Sequence, residues 1–419
     1  WDTFRTVMPL HTLIRPQFTA DVINSFITRY KKNGYVRDSM TGGRDMYEQQ
    51  GGDNVDVMIS DAYAKLKDTD CGVDWNEAYE VVRNHADNYR LSWQGKDNAF
   101  ADNVVPDPDT SYRSLGYIPG DDPLERIMCC NYTLDYAYND FCAALMAKEL
   151  GTQEEYTRYL ARSGNWQNLW NPALKYGDYT GFIGPRAKNG DFIDIDVNKN
   201  WGSWKEYFYE ANSYNYSFYV PQDPEKLIEL CGGENEFCER LYNGIFKGQG
   251  DFGNEPAFLS AFLFAYTGKP YLTADCVGKV RSRFTLRGNG GNDDSGALSA
   301  WYIFTTMGLF PCAGQDFYYL TSPAVEKTTL HLENGSAITI QANRLSAENK
   351  YIQSITVNGQ PYYGATIPHN LLADGAEIVF EMGSRRIDYT RQVEWCTITF
   401  SSEGGTETLD RSVAQGDLL

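Results

Sequence analysis

The chain has 419 residues, 42% of them hydrophobic and 14% aromatic, with 30 Tyr, 21 Phe and 9 Trp; so many large side chains support a sizeable core and exclude a disordered chain. Its 37 basic side chains against 56 acidic ones leave a formal net charge of -19, which repels a phosphate backbone and argues against nucleic acid as a partner. No apolar run approaches the roughly 20 residues needed to cross a bilayer.

The opening stretch WDTFRTVMPLHTLI starts on structured-looking sequence without an initiator Met, and we expect a fragment, a processed product or part of something longer. From there to about residue 310 the apolar spacing is mostly helical. NEAYEVVRNHADNY from Asn76 is one such segment. In residues 131–151, Leu134, Tyr138, Phe141, Cys142, Leu145 and Met146 recur every three or four positions and Gly151 can end the helix, predicting one buried stripe. Residues 176–209 are crowded with Gly, Asn and Asp and hold no period; so long an excursion usually serves binding. DPEKLIELCG from Asp223, PAFLSAFLFAYTG from Pro256 and SGALSAWYIFTTMG from Ser295 again read as helices, the second apolar on nearly every side, as an inner helix would be. From Leu309 the text becomes short alternating runs with two Asn-Gly turns. The expected organisation is a helical toroid over residues 1–315, a β-strand region over 316–390 and a tail of uncertain structure over 391–419.

Nine cysteines (Cys71, Cys129, Cys130, Cys142, Cys231, Cys238, Cys276, Cys312 and Cys396) are scattered without a CxxC, so neither a disulfide framework nor a zinc site is signalled. The four histidines, His11, His85, His331 and His369, are far apart in sequence. Chemistry therefore falls to carboxylates. In GNGGNDDSGALSAW, Asp293 and Asp294 stand between glycines and a predicted helix. One Asp can cap that helix, but the second then faces a like charge, a cost offset by an ion, a substrate or a cationic partner. Glu210 stands among Tyr209, Tyr214, Tyr216, Phe218 and Tyr219, where desolvation would favour a protonated acid. In DFGNEPAF, Asn254 and Glu255 are either helix cap and first-turn charge or oxygen ligands for a hard cation. Asp53 and Asn54 lie in a glycine-rich loop suited to sugar hydroxyls. Glycoside hydrolysis with inversion needs an acid and a base roughly 6.5–9.5 Å apart. A single Asp-Asp pair cannot span that distance, so the acid must come from elsewhere.

WDTFR at 1–5, GGDNVDVMISDAY at 51–63, GYIPGD at 116–121, YEANSYNY at 209–216, GNEP at 253–256 and GNDDSGALSAWYIFTTMGLFP at 291–311 together resemble the calcium-dependent, inverting α-mannosidases of glycoside hydrolase family 92. The resemblance covers about residues 1–385. It implies an (α/α)6 barrel followed by β-sandwich-type strands, without most of the family's N-terminal β-sandwich, which would come from a further domain or chain. By motif, it implies Glu210 as general acid, Asp294 as general base with Asp293 assisting, Asn254 and Glu255 at a Ca2+ ion, and Trp1, Asp2 and Arg5 in the pocket for a terminal mannose. The implied substrates are mannose-containing glycans, and the implied location is the periplasm, cell surface or exterior of a bacterium. Two other readings stay open: another α/α-toroid glycosidase, and a carbohydrate-binding fragment without catalysis. A polysaccharide lyase fits poorly with so acidic a chain.

Overall fold

The computed structural model of the chain describes residues 1–38, 40–41, 44–45, 50–88, 111–121, 128–199, 207–289, 291–391, 395–398 and 411–414. Its helices are α1 (Val7–Ile14), α2 (Pro16–Asn33), α3 (Asn54–Leu66), α4 (Trp75–Asn88), α5 (Ser111–Leu115), α6 (Cys129–Leu150), α7 (Gln153–Arg162), α8 (Ser213–Tyr216), α9 (Pro224–Leu230), α10 (Glu234–Lys247), α11 (Tyr271–Arg281) and α12 (Ala297–Met307). Local sequence sets several ends. Thr152 and Glu155 form a reciprocal capping box at the start of α7, satisfying two backbone donors that the first turn leaves open. Gly34 ends α2 at φ 78° and Gly308 ends α12 at φ 93°, a left-handed conformation that costs glycine nothing.

The helices pack in succession, and the last of them returns to the first. α1 touches α2 and α3, α3 touches α6, α6 touches α7, and α10, α11 and α12 follow one another until α12 meets α1. The Thr6 hydroxyl seals this junction by donating to the Ala297 carbonyl at 2.9 Å. α6 crosses the interior and is buried along nearly its whole length, Asn131, Asp135, Asn139 and Asp140 included. The expectation of a single buried stripe is therefore too narrow: this helix hides its polar residues as well.

Two further segments depart from expectation. Residues 255–266 form two 3-10 turns, Glu255–Ala257 and Ser260–Tyr266, with Phe262 N–H bonded to the Leu259 carbonyl at 2.9 Å. Residues 255–264 are buried throughout, in keeping with the apolar circumference. Its Phe and Tyr residues have little intrinsic helix preference, so packing sets the tighter winding. The long excursion begins with a hairpin, β3 (Trp170–Tyr176) and β4 (Tyr179–Ile183), turned at Gly177, φ 59°. A shorter pair, β1 (Met40–Thr41) and β2 (Arg44–Asp45), lies between α2 and α3.

Beyond α12 the chain is β. The strands are β5 (Leu309–Pro311), β6 (Phe317–Leu320), β7 (Lys327–His331), β8 (Ala337–Asn343), β9 (Tyr351–Val357), β10 (Gln360–Tyr362), β11 (Thr366–Pro368) and β12 (Ala376–Gly383). They form a five-stranded sheet in the order β10-β9-β12-β8-β7 and a three-stranded one in the order β11-β6-β5. β12 is parallel to β8 and antiparallel to β9. The Asn358-Gly359 turn joins β9 to β10 with both residues at positive φ, 50° and 75°, as a tight hairpin requires. Alternate residues of β8 and β12, among them Ile338, Ile340, Ile378 and Phe380, enter the same core as Trp301 and Phe304 of α12. Ring and sheets thus share one interior. Of the tail, β13 (Trp395–Ile398) pairs with β14 (Arg411–Ala414). Cys71, Cys129, Cys130, Cys142, Cys231, Cys238, Cys276 and Cys312 are buried free thiols.

Candidate active site

Two of the carboxylates singled out in the sequence sit on unusual backbone. Glu210 has φ 51° and Asp294 φ 43°, a left-handed conformation uncommon outside glycine and concentrated at functional positions. Glu210 lies just before α8. The Tyr216 hydroxyl donates to the Tyr209 carbonyl at 2.9 Å and so fixes the backbone ahead of it. Its carboxylate Oε2 accepts from the Asn254 side-chain amide at 3.3 Å, and the same amide lies 3.4 Å from the Glu210 carbonyl. Asn254 makes no side-chain cap to the turn it precedes, so the capping reading of this residue gives way to a contact across the site.

Glu255, the next residue, is 1% exposed. Among the described residues no N–H or O–H donor of another residue reaches its carboxylate oxygens, which meet the Asp294 carboxyl instead. Burial above all, with the charges of Asp294 and Asp2 added and its own backbone N–H and Arg5 opposing, pushes its carboxyl up to about 8. Glu255 is thus the more deeply buried of the two glutamates, Glu210 being half-buried. Asp294 is itself raised above the usual carboxylate range, first by burial, then by the charges of Asp2 and Glu210. Asp2, Glu210, Glu255 and Asp294, distant in sequence, therefore share one electrostatic neighbourhood.

The Asp-Asp pair divides its work. Asp293 accepts from the Ser299 backbone N–H at 2.8 Å and from its hydroxyl at 3.0 Å, holding the entry to α12. Asp294 projects from the adjoining left-handed turn toward Asp2, Glu210 and Glu255. Trp1 and Arg5 complete this group. The Trp1 ring meets Tyr209 edge to face at 5.1 Å. The Arg5 guanidinium lies 4.7 Å from the Trp1 ring centre and donates to the Trp1 carbonyl at 2.6 Å.

Asp53 and Asn54 stand at the start of α3, with Asp38 between Asp53 and the Trp1 amino group electrostatically. The Asn54 amides, backbone and side-chain, donate to Asp38 at 2.9 and 2.6 Å, and Val55 N–H does so at 3.1 Å, so Asp38 caps α3. The Asp53 N–H donates to Asn139 at 2.9 Å. Asp53, Asp56 and His85 form a buried cluster whose ligand atoms lie within 4.8 Å of one another, close enough to hold a metal ion. Both His85 ring nitrogens are engaged, Nδ1 with Asp56 at 2.7 Å and Nε2 with the Val36 N–H at 3.4 Å. Imidazole is moreover a poor ligand for a hard cation, whereas the oxygens at Asn254 and Glu255 suit one.

Asp135 is the residue that sequence reasoning missed. It accepts from Gly52 N–H at 3.1 Å, leaves Oδ1 without a partner, and is pushed up to about 6 by burial against the pull of Arg5. The paired glycines explain its placement: a Cβ on Gly51 would lie 2.5 Å from Asp135 Oδ2 and 2.9 Å from Trp1, and one on Gly52 2.6 Å from the Asp135 Cβ. The available signal was Asn131, Asp135 and Asn139, polar residues spaced four apart and so on one face of the helix.

Residues 1–384 match the glycosyl hydrolase family 92 catalytic domain. An uncharacterized secreted glycosidase of the fungus Arthroderma benhamiae is 33% identical over 405 residues, 90% of this chain and 50% of the fungal protein. Among solved structures, a family GH92 inverting mannosidase of Bacteroides thetaiotaomicron superimposes with TM-score 0.78 at 29% identity, over 92% of this chain and 53% of that one. A family GH92 α-mannosidase of the same bacterium does so with TM-score 0.76 at 28% identity, over 92% and 49%. The chain thus spans about half the length of these relatives. Sequence match and superposition agree with the (α/α) toroid and following β-sandwich strands, and the chain belongs to glycosyl hydrolase family 92.

Proposed function

We propose that the chain is the catalytic portion of an exo-acting, inverting α-mannosidase that removes terminal α-linked mannose from glycans. The observation that carries this reading is the pairing of Glu210 and Asp294, both on left-handed backbone and within electrostatic reach of each other. In it, Glu210 protonates the departing glycosidic oxygen while Asn254 orients its carboxylate. Asp294 takes the proton of the attacking water, and Asp293, pinned by Ser299, holds the loop that presents it. Trp1, Asp2 and Arg5 bound the sugar.

Ca2+ fits the donor set, because the buried Glu255 carboxylate has the like-charged Asp294 against it and Asn254 next to it in the chain, an oxygen-rich corner that a hard cation would relieve. Asn254 and Glu255 would hold it. When bound, the ion would polarise sugar hydroxyls and offset the crowded carboxylates. The fungal relative's description as secreted supports a site of action in the periplasm, at the cell surface or outside the cell. A family β-sandwich domain, supplied in the same chain or by another, completes the reading.

The test uses the chain alone and joined to such a domain, given α-mannobiosides of each linkage with and without chelator. NMR of the first mannose released should show the β anomer, with turnover lost to chelator and restored by Ca2+. Initial α-mannose would sink the inverting mechanism. No release under any condition would favour a carbohydrate-binding role.

A further inference from the structure

On a chain of net charge -19, one cleft runs against the general sign. It has a volume of about 460 Å³ and lies between α10, α11 and the five-stranded sheet, lined by Lys279, Arg281, Lys350 and Arg386. The single acid in its lining is Asp275. Asp275 is already more than neutralised, by Lys350 at 2.7 Å and Arg386 at 2.8 Å, and the Tyr351 hydroxyl donates to it at 3.0 Å. Each cation has a structural use: Lys279 and Arg281 fall in the last turn of α11, where positive charge is favoured. Such uses do not account for the balance, which is four positive charges against one negative. Among the described residues neither Lys279 nor Arg281 forms an ion pair; Arg281 Nη1 donates to the Thr305 carbonyl at 2.7 Å, a neutral partner, and burial lowers the Arg281 pKa.

The rest of the cleft is not featureless. Tyr242 and Phe246, one turn apart on α10, stack at 4.3 Å and 17° along its wall, and Phe246 is 40% exposed. On the facing helix, Ala274 and Gly278 leave room, with nothing within 4 Å of a Cβ placed at Gly278. Fixed cations recognise a tetrahedral oxyanion, and an aromatic face beside them takes the apolar face of a sugar ring. The volume suits a ligand of one or two such rings.

We propose that this cleft binds a saccharide carrying a phosphate or sulfate ester, separately from the carboxylate site, with the ester among Lys279, Arg281, Lys350 and Arg386 and the ring against Phe246. The inference does not depend on mannosidase activity, so it is tested by binding alone. Titration calorimetry of the chain with glucose 6-phosphate, glucose 6-sulfate, glucose and inorganic phosphate, at fixed ionic strength, is the measurement. Either ester should bind more tightly than glucose or inorganic phosphate, and the two esters together distinguish a dianion from a monoanion. Lys279→Glu, at an exposed position, should weaken ester binding by about ten-fold or more. Phe246→Ala should weaken the esters while leaving inorganic phosphate unchanged. Esters that bind no better than inorganic phosphate, or that bind Lys279→Glu as well as the parent, would overturn the proposal.

Discussion

Glu210 and Asp294 are the residues on which the proposed chemistry turns, and their roles predict different losses. Glu210→Gln should slow substrates with poor leaving groups by about 100-fold or more while sparing activated aryl mannosides, since only the former need the proton; equal losses on both would exclude the acid role. Asp294→Asn should slow both alike, and Asn tolerates the left-handed φ of 43°, so the change tests charge rather than backbone; turnover on either substrate at the parent rate would exclude the base role. The sequence made both residues conspicuous, through the isolated Glu among aromatics and the crowded Asp-Asp pair. It left open how that pair divides. Only the contact between Asp293 and Ser299, six residues on, assigns the capping member. Glu255 was visible as a candidate ligand, but its complete burial depends on how residues 255–266 wind, which their composition does not fix.

At the scale of elements, α4, α6, α9 and α12 were legible in the sequence, from apolar spacing and from residues suited to their ends. α9 begins at the Pro following Asp223, whose carboxylate accepts from Lys226 N–H at 3.3 Å. The polar stripe of α6 was not, because periodicity records which residues are apolar and says nothing of polar groups buried by partners distant in sequence. The same holds for the pair between Lys65 and Asp61 within α3, whose side chains are 0% and 2% exposed. Asp61 also accepts from Gly314 N–H at 3.1 Å and the Thr12 hydroxyl at 3.3 Å, tying α1, α3 and the connection between β5 and β6 together. Removing one partner strands the other charge. Lys65→Met should therefore destabilise the fold by about 3–5 kcal/mol, and Asp61→Asn added to it should recover part of that loss. Additive denaturation free energies would count against the coupling.

For the whole molecule, the change from helical to alternating pattern near Leu309 was evident in the sequence, whereas the order in which the strands pair was not. Nothing local dictates that β12 lies parallel to β8. Where ring meets sheet, His369 packs beside Tyr318 with Nδ1 3.1 Å from the hydroxyl, and burial, with Lys65 nearby, lowers its pKa from 6.5 to about 3. The unfolded chain then binds this proton more readily than the folded one. Its contribution is complete above pH 6.5 and is lost as pH falls toward 3, up to ~4 kcal/mol. Chemical denaturation at pH 7 and pH 4 should show that loss, and His369→Gln should shrink it; an unchanged pH dependence would exclude His369 as its source.

The seal between Thr6 and Ala297 joins residues 291 positions apart, and this has a consequence for biosynthesis. At roughly 5–20 residues per second the ribosome needs on the order of 15–60 s between making the two. Throughout that interval α1 has no neighbour on its closing side, and Asp2 and Arg5 have emerged long before Asp294 exists. A message truncated anywhere before α12 would yield an open helical arc without the proposed base, so a nascent chain of this fold has no half-assembled catalyst to release.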